Sequence, residues 1–481
     1  MRASVIIRLS HLTLYPSMLF GVPRLKKSLS ALLVSGFFVA GLACSSNYNS
    51  SGGQGQSKLA FRAFVSNPLR ENSSGAIFPD LDIVDATKDV ESASGVQLLG
   101  ILPDAGMMVL TPKQDRTLVV SPSSNRIAVV NNSTEAVATA ISLPGATESL
   151  FVWTDNTSAF VAIPGAFVQG QAPGAVGRVD IVTSANTAII PIPGAHYLVP
   201  SPTGNQILVF SDNSDAVTLL FPALLGTGSQ TSSQVPCTGT PIAACTVSGF
   251  DRPAWGVFSA DGSTAYIMNC GPECSGSSTG STANPCPGMP AAPSCTSVAV
   301  LDMTKNPPVI TATINVLAGT TGLLQGNTLY VSGTPVSSAC DPTSLLCGQL
   351  TVLDFSSGAS AVDCTASKLS HCQMQAIPDG RHNRIQMGAN GQLFLGSHAC
   401  TSVSSATETR GCLAIYDTVH SQVTVPPTNG DVTGIEPIPH RTVVYVCQNG
   451  TLQIYDTATD KLQTTQINII GQAIDVKVVD F

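Results

Sequence analysis

Six consecutive residues, Asp379-Gly380-Arg381-His382-Asn383-Arg384, hold the densest set of chemically capable side chains in this chain. Two guanidiniums, an imidazole and a carboxylate so close together can grip an anion with paired hydrogen bonds or offer a proton to a polar ligand. Asp379, Arg381, His382 and Arg384 are therefore the candidate ligand-binding residues. The bland reading is also open, because charges in exposed links often act as solvated caps or ion pairs. The next comparable link carries Asp431 and Glu436. Together the two links would form a mixed-charge rim, which suits binding more than catalysis.

Motifs of established chemistry are missing. The chain has no Gly-x-Ser-x-Gly elbow, no His-Glu-x-x-His helix, no phosphate-binding loop and no dinucleotide fingerprint. Gly-rich stretches such as GSSTGSTANPCPG lack the strand–loop–helix setting that phosphate binding needs, and read as surface loops. No catalytic residue, metal ligand or cofactor is assigned. The first 43 residues hold five basic and no acidic groups, so the remainder carries 17 basic against 30 acidic side chains. Nucleic acid is excluded as a partner, since phosphate binding needs a basic face.

The N-terminus reads as an export signal over residues 1–43. Arg24, Lys26 and Lys27 precede an apolar run from Ala31 to Ala43, which has the length of a signal core and is too short to span a bilayer. The run closes as Gly41-Leu42-Ala43-Cys44, followed by the polar stretch SSNYNSSGGQGQS. This resembles a bacterial lipoprotein signal, which implies lipidation of Cys44, a flexible tether over 44–57 and a periplasmic or surface-facing place at the outer membrane. Cleavage at Gly41-x-Ala43 would give plain secretion instead.

Cysteine usage fits export. Thirteen further cysteines all lie at or after residue 237. Twelve form sequence-local sets in Gly-, Ser- and Pro-rich connections, as disulfides pinning exposed loops would. The expected pairs are Cys237–Cys245, Cys340–Cys347, Cys364–Cys372 and Cys400–Cys412, with Cys270–Cys295 nested around Cys274–Cys286. A four-thiolate zinc site is the alternative for the last group, disfavoured in an oxidising compartment. Cys447, in the strand VVYVCQ, is left as a buried free thiol.

A repeat of four strands must position all of these groups. Its clearest copy, VLTPKQDRTLVVSPSSNRIAVVNNSTEAVATAI, alternates apolar runs with polar turns. Third strands recur as LDIVD, RIAVVN, RVDIV, AVTLL, VAVLD, LTVLD, LAIYD and LQIYD. Eight second strands accompany them, but only seven first strands lie between. The missing one is supplied by AIDVKVVDF, residues 473–481, which belongs to no unit of its own. Such a unit cannot bury its faces alone, so the copies must stack. The expected fold is all-β: one β-propeller over residues 58–481 with eight four-stranded blades. The C-terminal strand would complete the first blade and hide the open edges. Seven blades is the alternative.

The segments FSADGSTAYIMN, IYDTATDKLQTTQI and VVNNSTEAVATAISLPG resemble the YVTN-type repeat of bacterial β-propellers, a superfamily that includes lactonase-like members. Asp261-Gly262 falls at the turn between first and second strands, and Asp456-Thr457 where the third turns into the fourth. These are turn formers, so the resemblance implies the fold and leaves the activity open.

Four insertions interrupt the later copies, at 223–250, 271–297, 334–349 and 399–411, nearly all carrying a cysteine pair. Long loops on a rigid scaffold often carry recognition, and staples lower the cost of ordering them. The expectation is a monomeric cell-envelope module that binds a protein or glycan through these loops. The alternatives are a lactonase-like hydrolase with its polar site at the central channel, and a structural envelope protein without a dedicated ligand.

Overall fold

Runs of Val, Ile, Leu and Ala punctuated by Asp, Asn and Gly fold into eight four-stranded antiparallel sheets in the computed structural model. It describes residues 56–480 apart from 226–234, 239–241, 277–295, 337–344, 366–367 and 405–408. The expected signal, Cys44 and most of the tether lie outside the described residues.

Each sheet is a simple meander. The second blade shows the pattern, running outward through Met108–Leu110, Arg116–Ser121, Arg126–Asn131 and Ala136–Ser142. The second strands are the most deeply buried, and every residue of Ser158–Ile163 and of Val443–Gln448 is inaccessible. Both faces of such a strand meet a neighbouring blade, which explains its continuous apolar character. Leu118, Val120, Ile127 and Val129 of blade 2 pack against Ala159, Val161 and Ile163 of blade 3. Burying each branched side chain contributes about 1.5–3 kcal/mol, so successive blades hold one another in place.

Blade 1 is built from both ends of the described chain. Phe61–Glu71, Ile77–Asp85 and Val90–Gln97 supply three strands, and Asp475–Asp480 supplies the innermost. Phe61 lies opposite Asp480 and Ser66 opposite Asp475. The eightfold count and the closure by strand exchange are thus as the repeat predicts.

The recurrent Asp or Asn at the end of the third strand has a defined task. Its side-chain oxygen accepts backbone N–H groups two or three residues on and so shapes the turn into the outer strand. Asp85, Asn131, Asp180, Asp302, Asp354, Asp417 and Asp456 all do this. Blade 4 has Leu220 at this place and a long connection in place of the tight turn. Its outer strand, Ala244–Ser248, lies within the span the sequence suggests as insertion. Asp261 likewise accepts from the Ser263 amide at 3.0 Å in the first turn of blade 5, where Gly262 sits at φ +70°.

Three predicted disulfides are present: Cys237–Cys245, Cys364–Cys372 and Cys400–Cys412. Cys447 is free and buried. One expectation is corrected. Cys270 bonds to Cys274, not to Cys295, because the short 3-10 turn Gly271–Cys274 brings their Cα atoms to 5.5 Å. The nested pair Cys274–Cys286 is thereby also excluded; Cys286 and Cys295 lie outside the described residues. Cys347 is disulfide-bonded, and its expected partner Cys340 lies outside them too. These bonds mark an exported protein, since they persist in oxidising compartments.

Meander topology sends alternate connections to opposite faces of the ring. The interrupted links of blades 5, 6 and 7, following Thr264–Asn269, Thr328–Gly333 and Gln392–His398, share the face where the inner strands begin. The stapled connections after Ala216–Leu220 and Gly348–Asp354, holding Cys237–Cys245 and Cys364–Cys372, emerge on the other. The stapled loops are therefore divided between two faces instead of sharing one.

Candidate functional site at the channel mouth

The eight inner strands each pack against the inner strands of the two flanking blades and so surround a central channel. Four of them, Ala195–Pro200, Pro253–Phe258, Arg381–Met387 and Val432–Pro437, carry a bulge near the start. Bulges re-aim side chains, and here they leave His196, Ala254, Asn383 and Thr433 out of register at the mouth.

The predicted cluster is split by its strand. Asp379 serves the fold: its carboxylate accepts the Thr401 amide at 2.6 Å and the Thr401 hydroxyl at 2.8 Å, fixing the loop stapled by Cys400–Cys412. His382 is 3% exposed and lies against Gly348. Burial pushes its imidazole down to about 4, offset in part by the carbonyls of Pro378 and Gly380. Arg381 is exposed and makes no ion pair or side-chain hydrogen bond among the described residues. Arg384 donates from Nε to the Thr433 carbonyl at 2.8 Å and from Nη1 to the Asn383 carbonyl at 3.2 Å. Neither guanidinium is in an ion pair with a carboxylate among the described residues. Asp431 and Glu436 are both engaged, Asp431 with His398 at 3.4 Å and Glu436 with Lys477 at 3.1 Å.

A second group faces these arginines from blades 3 and 4. His196 Nδ1 lies 2.7 Å from Asp212 Oδ1, and its Nε2 lies 3.3 Å from Glu148 Oε2. Its ring stacks on Tyr197 with centroids 4.2 Å apart. Hydrogen bonding to Asp212, then to Glu148, raises the imidazole to about 9 against the cost of burial. The His196 hydrogen bond in turn lowers Glu148, with help from the charges of Arg381 and Arg384. Blade 3 stands diametrically opposite blade 7 in a ring of eight. Arg381 and Arg384 therefore act on Glu148 across the channel, which places them at its mouth.

Sequence reasoning missed Glu148, His196 and Asp212. They belong to two blades and to no shared motif; only a polar residue at the start of a first strand, as in HYLVPSP, hinted at them.

Among the described residues no set of His, Cys, Asp and Glu converges as metal ligands do, and no helix is long and apolar enough to cross a membrane. What the mouth offers is a pair of guanidiniums without an ion pair among the described residues on one wall and a carboxylate-clamped imidazolium on the other.

By fold the chain is an eight-bladed β-propeller. No family model and no curated protein matches its sequence. Among solved structures, the dihydro-heme d1 dehydrogenase NirN in complex with DHE superposes with a TM-score of 0.55 at 12% identity, over 88% of this chain and 75% of that one. The periplasmic gluconolactonase PpgL of Pseudomonas aeruginosa gives 0.43 at 14% identity, over 87% and 99%. Hydrazine synthase of Kuenenia stuttgartiensis gives 0.46 at 12% identity, over 75% and 95%. At such identities the likeness is one of fold.

Proposed function

We propose that the protein is an exported recognition module of the cell envelope, held there by a lipid on Cys44, which takes an anionic group of a protein or glycan at its channel mouth. The carrying observation is the pair Arg381 and Arg384, two guanidiniums on one inner strand, neither of them in an ion pair among the described residues. The interrupted links of blades 5, 6 and 7 rise from the same face and supply its wider contact surface. Charge-assisted hydrogen bonds from arginine are the strong kind, and planar anions fit them best. The state of His196 supports binding over hydrolysis. An imidazole raised to about 9 is protonated at neutral pH and donates hydrogen bonds instead of accepting a proton as a general base.

Polygalacturonate and polyglutamate, an acidic glycan and an acidic peptide chain, with neutral dextran as control, test this reading by calorimetry. At least one acidic probe is expected to bind in a salt-sensitive manner, and Arg381→Ala with Arg384→Ala to weaken it about tenfold or more. Failure of both acidic probes, or unchanged binding by the double variant, would overturn it. Mass measurement of the mature N-terminus tests the anchor: an unmodified Cys44 rejects it.

A further inference from the structure

Blades 1 and 2 enclose a groove of about 640 Å³ at the perimeter of the ring, formed by their outer strands and separate from the channel. Arg70, Glu71, Phe78, Asp80 and Gly95 line it, together with the start of Ala136–Ser142. Its volume is that of an ordinary small-ligand site.

The charges around it do not balance. Arg70 lies 2.6 Å from Glu91 and also against Asp82, so its charge is already taken. Glu71 and Asp80 are left over, giving one guanidinium against four carboxylates. Arg62 and Glu135 on the far wall pair with each other at 3.3 Å and add nothing to the sum.

Asp80 is the unusual member. It is 5% exposed, and its Oδ1 accepts the Leu81 amide at 2.9 Å. Its Oδ2 accepts no hydrogen bond among the described residues. Burial pushes this carboxyl up to about 6, more than the nearby Arg70 charge and the Leu81 amide can offset. The residue is buried but Oδ2 is not sealed off, so it opens onto the groove as an acceptor that a guest can reach. The strand opposite makes way for this carboxylate. A Cβ at residue 95 would lie 2.6 Å from Asp80 Oδ2, and the residue there is glycine.

We infer that this groove binds an organic cation, an ammonium or guanidinium group, with Asp80 Oδ2 as its acceptor and Glu71 as a second negative charge at the entrance. The guest is organic because no metal-ligand set converges among the described residues. Its source is either a free amine or a basic side chain.

Putrescine and trilysine represent the two sources, and butanediol is the uncharged control, each titrated by calorimetry into the full chain. Saturable binding of putrescine, trilysine or both, with none of butanediol, is expected. Asp80→Asn should weaken it about tenfold or more, as loss of a charged acceptor does. Gly95→Ala should weaken it, because a Cβ 2.6 Å from Oδ2 would force the Asp80 carboxylate out of place. Asp261→Asn removes an exposed carboxylate elsewhere and should change nothing. Thermal unfolding establishes that each variant is folded, and Asp80→Asn decides alone if Gly95→Ala is not. Absence of saturable amine binding, equal binding of butanediol, or equal effects of Asp80→Asn and Asp261→Asn would each overturn the inference.

Discussion

Arg441 holds both carboxylate oxygens of Asp89, with Nη1 2.5 Å from Oδ1 and Nη2 2.7 Å from Oδ2. The Tyr445 hydroxyl donates to the same Oδ1, and Arg441 also donates to the Ala86 carbonyl at 2.5 Å. Arg441 sits in the first turn of blade 8 and Asp89 in the last turn of blade 1. The seam that the exchanged strand closes on the inside is thus clamped a second time by an ion pair.

Asp89→Asn tests this clamp. Asp89 has φ 58°, which asparagine also tolerates, so the backbone need not move and the charge alone is lost. Partly buried arginine and tyrosine donors would then face a weaker acceptor. We expect stability to fall by about 1–3 kcal/mol, read as a lower denaturant midpoint at unchanged slope. An unaltered midpoint would show that strand exchange alone secures the seam.

Two histidines should give the stability profile opposite slopes on its two sides. His382 titrates near 4 in the fold against an ordinary 6.5, so the unfolded chain takes the proton first. Stability is then lost as pH falls from 6.5 towards 4, by up to about 1.4 kcal/mol per pH unit. His196 is raised to about 9, so its contribution is complete below 6.5 and disappears as pH rises through 9. His382→Gln should flatten the acid limb and His196→Gln the alkaline limb, as measured by unfolding free energies across pH. Retention of either slope in its variant would reject the assignment.

Cys447 should be chemically silent until the ring opens. It is fully buried, and desolvation holds its thiol well above the ordinary value, so almost no thiolate forms. Iodoacetamide labelling in native buffer should therefore proceed at the rate of global unfolding and become rapid in denaturant. Prompt labelling of the folded protein would contradict this packing.

The fold was largely legible because each blade repeats one solution to one problem. Asp85, Asp302 and Asp456 mark strand ends by what their side chains do to the next turn, and AIDVKVVDF stands out as a strand without a blade. The Cys270 pairing was not legible, because Cys270 and Cys274 meet only through the 3-10 turn between them. The site was half legible. Arg381 and Arg384 lie three residues apart in sequence, whereas their counterparts Glu148, His196 and Asp212 converge only once blades 3 and 4 stand side by side. Asp80 and Gly95 meet diagonally between two paired strands, and alternation alone does not reveal a missing donor.

Exchange of the strand Asp475–Asp480 also sets the order in which the molecule can be finished. Synthesis runs from the N-terminus, so blade 1 waits without its inner strand while all seven others are being made. Any chain that stops short of Asp475, whether still growing or clipped by a protease, leaves the edge of Phe61–Glu71 bare. The ring cannot lock before Asp475–Asp480 has been made. The same arrangement makes Asp475–Asp480 a checkpoint, at which losing one strand costs the whole circle.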